Sequence, residues 1–164
     1  VEKGSRLVVT MDADHSHAPE YLPSMIEHAE KNAIVLGSRY IAGGGVQNWG
    51  LGRTILSRMA NLYARFITSL PVHDLTTGYR VYREDFLKSI DLENIQSEGY
   101  SFLVEILYPA FKRGSSIGEV PIVFTDRIRG QSKITLTEII TGAMNLLKLR
   151  LRSGSKKPTP SSNS

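Results

Sequence analysis

Two apolar, β-branched runs with an amphipathic segment between them set the fold class of this chain. Arg6-Leu-Val-Val-Thr-Met11 and Ala33-Ile-Val-Leu-Gly-Ser-Arg-Tyr40 both read as buried strands. Between them, Pro19 is a favoured first helical residue and opens an amphipathic helix over about residues 19–31. Strand, helix and strand at this spacing predict an α/β domain with parallel strands. Such sheets gather ligands at the carboxyl ends of their strands. The first run ends directly on Asp12-Ala13-Asp14.

The rest of the chain continues in short elements. A glycine-rich loop runs from Gly43-Gly44-Gly45 through Trp49-Gly50 to Gly52, and residues 53–70 carry apolar side chains at helical spacing until Pro71. His73 to Gly78 reads as a turn, Tyr79 to Arg83 as a strand, and Glu84 to Ile90 and Ser101 to Arg113 as helices. Ile117 to Asp126 is strand-like, with Pro121 favouring an edge position. Arg127 to Lys133 is a basic loop, and Thr135-Leu-Thr-Glu138 has the spacing of a capping box opening a last helix to about Arg152. These patterns divide the chain into a body over residues 1–135, an amphipathic helix over 136–152 and a Ser-, Pro- and Lys-rich tail over 153–164, expected to be disordered.

Charge and composition narrow the function classes. Of 164 residues, 41% are apolar and 22% charged, which supports a packed core. The net charge is +4, but Lys148, Arg150, Arg152, Lys156 and Lys157 stand near the end with no acidic residue among them. Without these five, 15 basic residues face 16 acidic ones. A nucleic-acid-binding domain would instead carry a basic face across its fold, so nucleic acid is not an expected partner. With no cysteine, a disulfide framework, a thiolate zinc site and a thiol nucleophile are all excluded.

Asp12 and Asp14 are the sharpest chemical feature. Strand alternation points them to opposite faces, but a turn directly after the strand can bring them together. Two such carboxylates suit Mg²⁺ or Mn²⁺, which takes few protein ligands and leaves positions for substrate phosphates. A capping or solvated Asp pair is the competing reading. A calcium EF-hand loop counted from Asp12 would need Gly and Glu where His17 and Pro23 stand. A zinc site on His15 and His17 lacks a third ligand nearby, and His17 is expected to cap a helix. A second, cationic set comprises Arg39, Arg53, Arg127, Arg129 and Lys133. Arginine forks match phosphate oxygens, and Arg53 and Ser57 lie four apart on one helix face.

Seven stretches then occur in an order that resembles one family: Met11-Asp-Ala-Asp14, Gly37-Ser-Arg-Tyr40, Gly43-Gly-Gly-Val-Gln-Asn-Trp-Gly50, Asp74-Leu-Thr-Thr-Gly-Tyr-Arg80, Ser97-Glu-Gly-Tyr-Ser-Phe102, Glu119-Val-Pro-Ile-Val-Phe124 and Arg129-Gly-Gln-Ser-Lys133. Over about residues 6–150 the chain resembles the polyprenyl-phosphate (dolichol-phosphate) mannosyltransferases, family-2 glycosyltransferases with a GT-A fold. The resemblance implies transfer of mannose from a nucleotide-sugar donor, GDP-mannose, to the phosphate of a polyprenyl phosphate, with inversion. It implies that Asp12 and Asp14 hold a divalent ion (Mg²⁺ or Mn²⁺) against the donor diphosphate. Arg39, Arg53, Ser57 and Arg129 match positions around the acceptor phosphate, with Ser132 and Lys133 beside them. Glu98 and Tyr100 match a motif at the sugar end of the pocket. Asp14, Asp74 and Arg129 are the residues expected to act in catalysis, Asp74 by orienting or polarising the site; capping the Thr76-Thr77-Gly78 turn is its alternative role.

The chain departs from the family in two places. Only 11 residues precede Asp12, so the base-binding strand and loop that open the family's domain are expected to be missing, an N-terminal truncation. Ser16 stands where some members carry a Gln that adds a metal contact. The basic amphipathic helix near the end can lie on an anionic membrane surface, which makes a cytoplasmic protein peripherally associated with a membrane face the expectation. It can equally pack its apolar stripe on the domain while its basic end complements the helix dipole. The alternative to a transferase is a non-catalytic membrane-binding module, or an inactive fragment of such an enzyme.

Overall fold

The computed structural model describes residues 4–91, 95, 97, 99–126 and 136–154. Its elements are β1 (Leu7–Thr10), α1 (Leu22–Ala29), β2 (Ile34–Ser38), β3 (Gly45–Gln47), α2 (Leu51–Thr68), β4 (Arg80–Arg83), α3 (Glu84–Ser89), α4 (Gly99–Lys112), β5 (Ile117–Pro121), β6 (Val123–Thr125) and α5 (Leu136–Gly154). The segment expected as one helix over 19–31 is a 3-10 turn at Pro19–Tyr21 running into α1.

Four strands form the main sheet in the order β1-β4-β2-β5, and β3 pairs with β6 beside it. β4 runs antiparallel to both β1 and β2, while β2 and β5 are parallel. Thus β1 and β2 do point the same way, as the strand-helix-strand pattern predicts, but they are not neighbours. β4 lies between them and carries the Asp74–Gly78 turn to the end of the sheet where β1 delivers Asp12. Sequence distance concealed this, since β4 enters some forty residues after β2.

β2 is buried along its whole length, and its alternation feeds both faces. Ile34 and Leu36 join Tyr82, Ala64, Leu107 and Leu146 beneath α2, α4 and α5. Val35 joins Val81, Tyr79, Met25 and Ala29 beneath α1. The expectation that β1 is buried is corrected here. With β4 on one side only among the described residues, Val9 and Met11 are 39% exposed. The strand expected over 117–126 is two strands broken at Ile122. Ile122 is fully buried, donates its N–H to Ser38, and accepts from Gly45, passing the chain from the main sheet to β3.

Arg80 is an unexpected core residue. It is fully buried, and its guanidinium donates to the carbonyls of Thr77 (2.8 Å), Leu75 (2.9 Å) and Leu103 (2.7 Å). One side chain therefore ties the 75–78 turn to α4. Burial works against its charge and lowers its pKa, with Tyr82 and Asp74 opposing. Arg80→Met leaves three carbonyls without that donor, at about 1–3 kcal/mol for each buried group left unsatisfied. Urea denaturation should show a stability loss of about 3 kcal/mol or more; a midpoint indistinguishable from wild type would show that the clamp is dispensable.

Candidate active site

The chain turns sharply after β1. His15 adopts a left-handed conformation (φ 65°), and Asp14 Oδ1 accepts from both the backbone N–H (3.1 Å) and the hydroxyl (2.5 Å) of Ser16. Ser16 thus fixes one oxygen of Asp14. Asp12 is held through its backbone, whose N–H donates to His17 Nδ1 at 2.9 Å. That nitrogen is therefore an unprotonated acceptor, and its 3.7 Å approach to Asp12 Oδ2 is proximity rather than an ion pair. Burial is the main reason the His17 pKa lies below its ordinary value, Asp12 opposing it. Tyr79 and Phe124 pack on the ring at centroid distances of 4.9 and 5.2 Å. His17 is a buttress under Asp12, not the helix cap expected of it, since the following turn has Ala18 at its cap.

The side chain of Asp12 stays 55% exposed. Among the described residues no three His, Cys, Asp or Glu side chains cluster as a metal cage. Zinc held by His15 and His17 does not fit, because His17 is buried and its Nδ1 faces a backbone amide. Two carboxylates at an open turn, with no third protein ligand, fit a hard dication that draws its other ligands from substrate phosphates and water. Asp12 and Asp14 are the residues that would hold it.

Beside this turn lies a buried ion pair. Arg39 Nε donates to Asp74 Oδ2 and one terminal nitrogen to Asp74 Oδ1, both at 2.7 Å, while the Arg39 backbone N–H adds a bond of 3.0 Å. Asp74 is fully buried and Arg39 nearly so. Burial opposes the Arg39 charge, but hydrogen bonding and attraction to Asp74 outweigh it and raise the pKa. Thr76 accepts from Arg39 at 2.8 Å and from Asn61 at 3.0 Å, and Asn61 accepts from the Leu75 N–H. Glu119 holds the N–H groups of His73 and Asp74. In this arrangement both oxygens of Asp74 are engaged, and its contact is with Arg39.

The other cationic residues gather around Trp49. Arg53, in the first turn of α2, stacks on the indole at 4.1 Å and donates to Asp126 at 2.6 Å. Arg39 also lies over Trp49 at 5.4 Å. Ser57 accepts from the Tyr40 hydroxyl at 2.7 Å. Trp49 Nε1 is buried with no acceptor among the described residues. Phe124 meets Trp49 edge-on at 5.5 Å as well as His17, so one ring spans the acidic turn and the cationic group. Tyr100 is half exposed in the first turn of α4 and bears electrostatically on Arg39. Glu98, Arg129, Ser132 and Lys133, like Arg127, lie outside the described residues.

Sequence reasoning missed His17, Trp49, Arg80 and Glu119 as parts of this site. Trp49 had a signal, being the single tryptophan and placed in a glycine-rich loop. Gly44 shows what that loop requires: a Cβ there would come within 2.5 Å of the Ser38 carbonyl. The buried pair gives a direct test. Asp74→Ala leaves the Arg39 charge uncompensated and should cost about 3–5 kcal/mol. Arg39→Met combined with Asp74→Leu should recover most of that loss in a double-mutant cycle followed by chemical denaturation; equal losses in the single and double variants would contradict the pairing.

Comparison with known proteins agrees with this architecture. The family model described as glycosyl transferase family 2 matches residues 3–91. Polyprenol monophosphomannose synthase of Mycolicibacterium smegmatis is 43% identical over 140 residues, 85% of this chain and 53% of that protein. Undecaprenyl-phosphate mannosyltransferase of Micrococcus luteus is 42% identical over 135 residues, 82% of this chain and 56% of that protein. The chain spans about half the length of these curated relatives. Among solved structures, glucosyl-3-phosphoglycerate synthase from Mycobacterium tuberculosis, in complex with Mn²⁺, uridine diphosphate and phosphoglyceric acid, is similar with a TM-score of 0.60 at 17% identity. That likeness, covering 94% of this chain and 51% of that one, concerns the fold. From the family match and the two relatives, the chain belongs to glycosyl transferase family 2, and its α/β architecture is of the GT-A type.

Proposed function

We propose that this chain carries the catalytic end of an enzyme that transfers mannose from GDP-mannose to the phosphate of a polyprenyl phosphate, with inversion and with Mg²⁺ or Mn²⁺. The observation that carries this reading is the juxtaposition through Phe124: an open two-aspartate turn on one side, and two arginines with an orphaned indole N–H on the other. Both mannosyl-transferring relatives named above support the sugar and the lipid phosphate.

A divalent ion held by Asp12 and Asp14 would offset the charge that develops on the departing nucleoside diphosphate. The chain's own groups do the rest. Ser16 fixes one oxygen of the Asp14 carboxylate and His17 fixes the backbone of Asp12, so the turn is set before a ligand binds. Arg53, Ser57 and Trp49 Nε1 receive the acceptor phosphate, with Arg129, Ser132 and Lys133 joining them. Arg39, paired with Asp74 in a neutral ion pair, positions the site rather than offering a free fork, and the sugar is assigned to Glu98 and Tyr100. An acceptor phosphate oxygen attacks the anomeric carbon as the bond from that carbon to the diphosphate oxygen breaks, and the electron pair leaves with the diphosphate. A phosphate monoester has a second pKa of about 6, so it is already largely dianionic at neutral pH and needs little help from a base. Asp74 therefore acts as a positioning residue.

Membrane association belongs to the same reading. No described helix is long and apolar enough to cross a membrane. α5 packs through Leu146 into the core yet leaves Ile140, Met144, Leu147 and Leu151 exposed, with Lys148 beside them. A surface with exposed apolar residues and flanking cations suits an interfacial helix. The same surface favours the second reading, a membrane-binding module without catalysis. Asp12→Ala and Asp14→Ala in the intact protein separate the two. The transferase reading expects each to lower metal-dependent mannosyl transfer by at least about a hundredfold while leaving vesicle binding unchanged, which corresponds to about 2.7 kcal/mol of transition-state stabilisation. Undiminished transfer would remove the metal assignment. Replacing Met144 and Leu151 by Gln should weaken vesicle binding and leave transfer in detergent intact.

A further inference from the structure

A cleft of about 420 Å³ lies between α2 and the loop that follows β2, and Arg58, Arg65, Asn61, Leu62, His73 and Tyr40 are among its lining residues. Arg58 and Arg65 stand seven residues apart, about two helical turns, and so project from the same side of α2. Neither has a carboxylate partner among the described residues. The two carboxylates close to the cleft are already engaged: Asp74 by Arg39, and Glu119 by His73 Nδ1 (2.9 Å) and the two backbone N–H groups described above. The cleft therefore holds two surplus guanidinium charges in a concavity of the size that encloses small ligands. Such a pair matches the oxygens of a phosphate group.

The rim identifies which kind of phosphate. Leu62 lines the cleft and also belongs to the outward stripe of α2, where Leu51 and Phe66 are 82% exposed and Ile55 and Met59 are more than half exposed. The Tyr63 hydroxyl donates to the Ala143 carbonyl at 3.0 Å, which sets the exposed stripe of α5 alongside. Cationic cleft and apolar plane thus share a border, the arrangement of headgroup phosphate over hydrocarbon at a bilayer surface. A soluble sugar phosphate would leave Leu62 and its neighbours uncovered.

We propose that the Arg58–Arg65 cleft binds the phosphate of an anionic bilayer phospholipid, whose acyl chains lie along the exposed face of α2. The cleft borders the acceptor-phosphate group, since Arg39 and Tyr40 line it and the Tyr40 hydroxyl reaches Ser57. Arg53, Ser57 and Trp49 do not line it, however, and its surplus charges, Arg58 and Arg65, are not used by the acceptor reading. It would seat the chain on the membrane beside the place where a lipid acceptor is used. The inference concerns binding alone and does not depend on the transferase reading.

The test measures affinity of the full chain for phosphatidylcholine vesicles with and without phosphatidylglycerol at fixed ionic strength, with thermal melts to verify folding. Arg58→Gln/Arg65→Gln should lose about tenfold or more of the phosphatidylglycerol-dependent affinity, from about 1 kcal/mol for each basic residue near an anionic surface. Arg58→Lys/Arg65→Lys keeps the charge but not the forks, and should also bind more weakly than wild type. Arg6→Gln/Lys31→Gln removes equal charge elsewhere and should stay within about twofold if the site is local. Full retention by the lysine variant, or equal losses in the distant control, would show a diffuse charge effect and overturn the site. Binding of inorganic phosphate with the same dependence on Arg58 and Arg65, and no preference for anionic vesicles, would overturn the lipid assignment.

Discussion

The paired charges of Arg39 and Asp74 organise everything around them. Both are buried, and the pair joins the end of β2 to the turn that precedes β4, segments 35 residues apart in sequence. A buried ion pair gains little net stability over an apolar pair of the same volume, because desolvation consumes most of the attraction. Its consequence is geometric. Once Asp74 is fixed, Thr76, Asn61 and Glu119 complete the bonds of the turn, and Arg80 anchors the same turn to α4 from below. The turn then lies against the Asp12 loop, where Thr10 donates to the Gly78 carbonyl and Gly78 sits next to Asp12.

Aromatic packing carries that order across the site. Tyr79, which leaves the same turn, packs on His17; His17 holds the Asp12 backbone; Phe124 meets both His17 and Trp49; and Trp49 supports Arg53. Two groups of opposite charge are thereby kept close without neutralising each other. That separation is what a transfer between two phosphate-bearing substrates requires. In the proposed reaction one end would hold a metal-bound diphosphate through its carboxylates, and the other would face the attacking phosphate.

Much of this was legible in the sequence, for physical reasons that differ from element to element. β2 and α2 were readable because apolar periodicity reports burial directly. α2 nonetheless begins at Leu51, two residues ahead of Arg53, and stops on a left-handed Ser69 rather than at Pro71. The Asp12–Asp14 turn was readable because carboxylates at the end of an apolar run are uncommon without a purpose. What the sequence withheld is long-range pairing. Nothing local to Arg80 distinguishes a solvated arginine from one buried against three carbonyls, and nothing local to Asp74 reveals that Arg39 occupies it. His17 was expected to cap a helix for the same reason, since Phe124, one of its packing partners, lies more than a hundred positions away.

The exposed stripes of α2 and α5 were visible as amphipathic patterns, but the choice between core packing and surface exposure depended on tertiary context. Both occur: Ala64 and Leu146 face the core, while Phe66 and Leu151 face outward. The central claim is that the acidic turn and the cationic group work together on a metal-bound sugar nucleotide and a lipid phosphate. Its most direct measurement follows labelled mannose from GDP-mannose into a polyprenyl phosphate by the intact protein, before and after chelation of divalent ions. The account predicts incorporation that chelation abolishes and added Mg²⁺ or Mn²⁺ restores, whereas incorporation indifferent to chelation, or none with metal present, would contradict it.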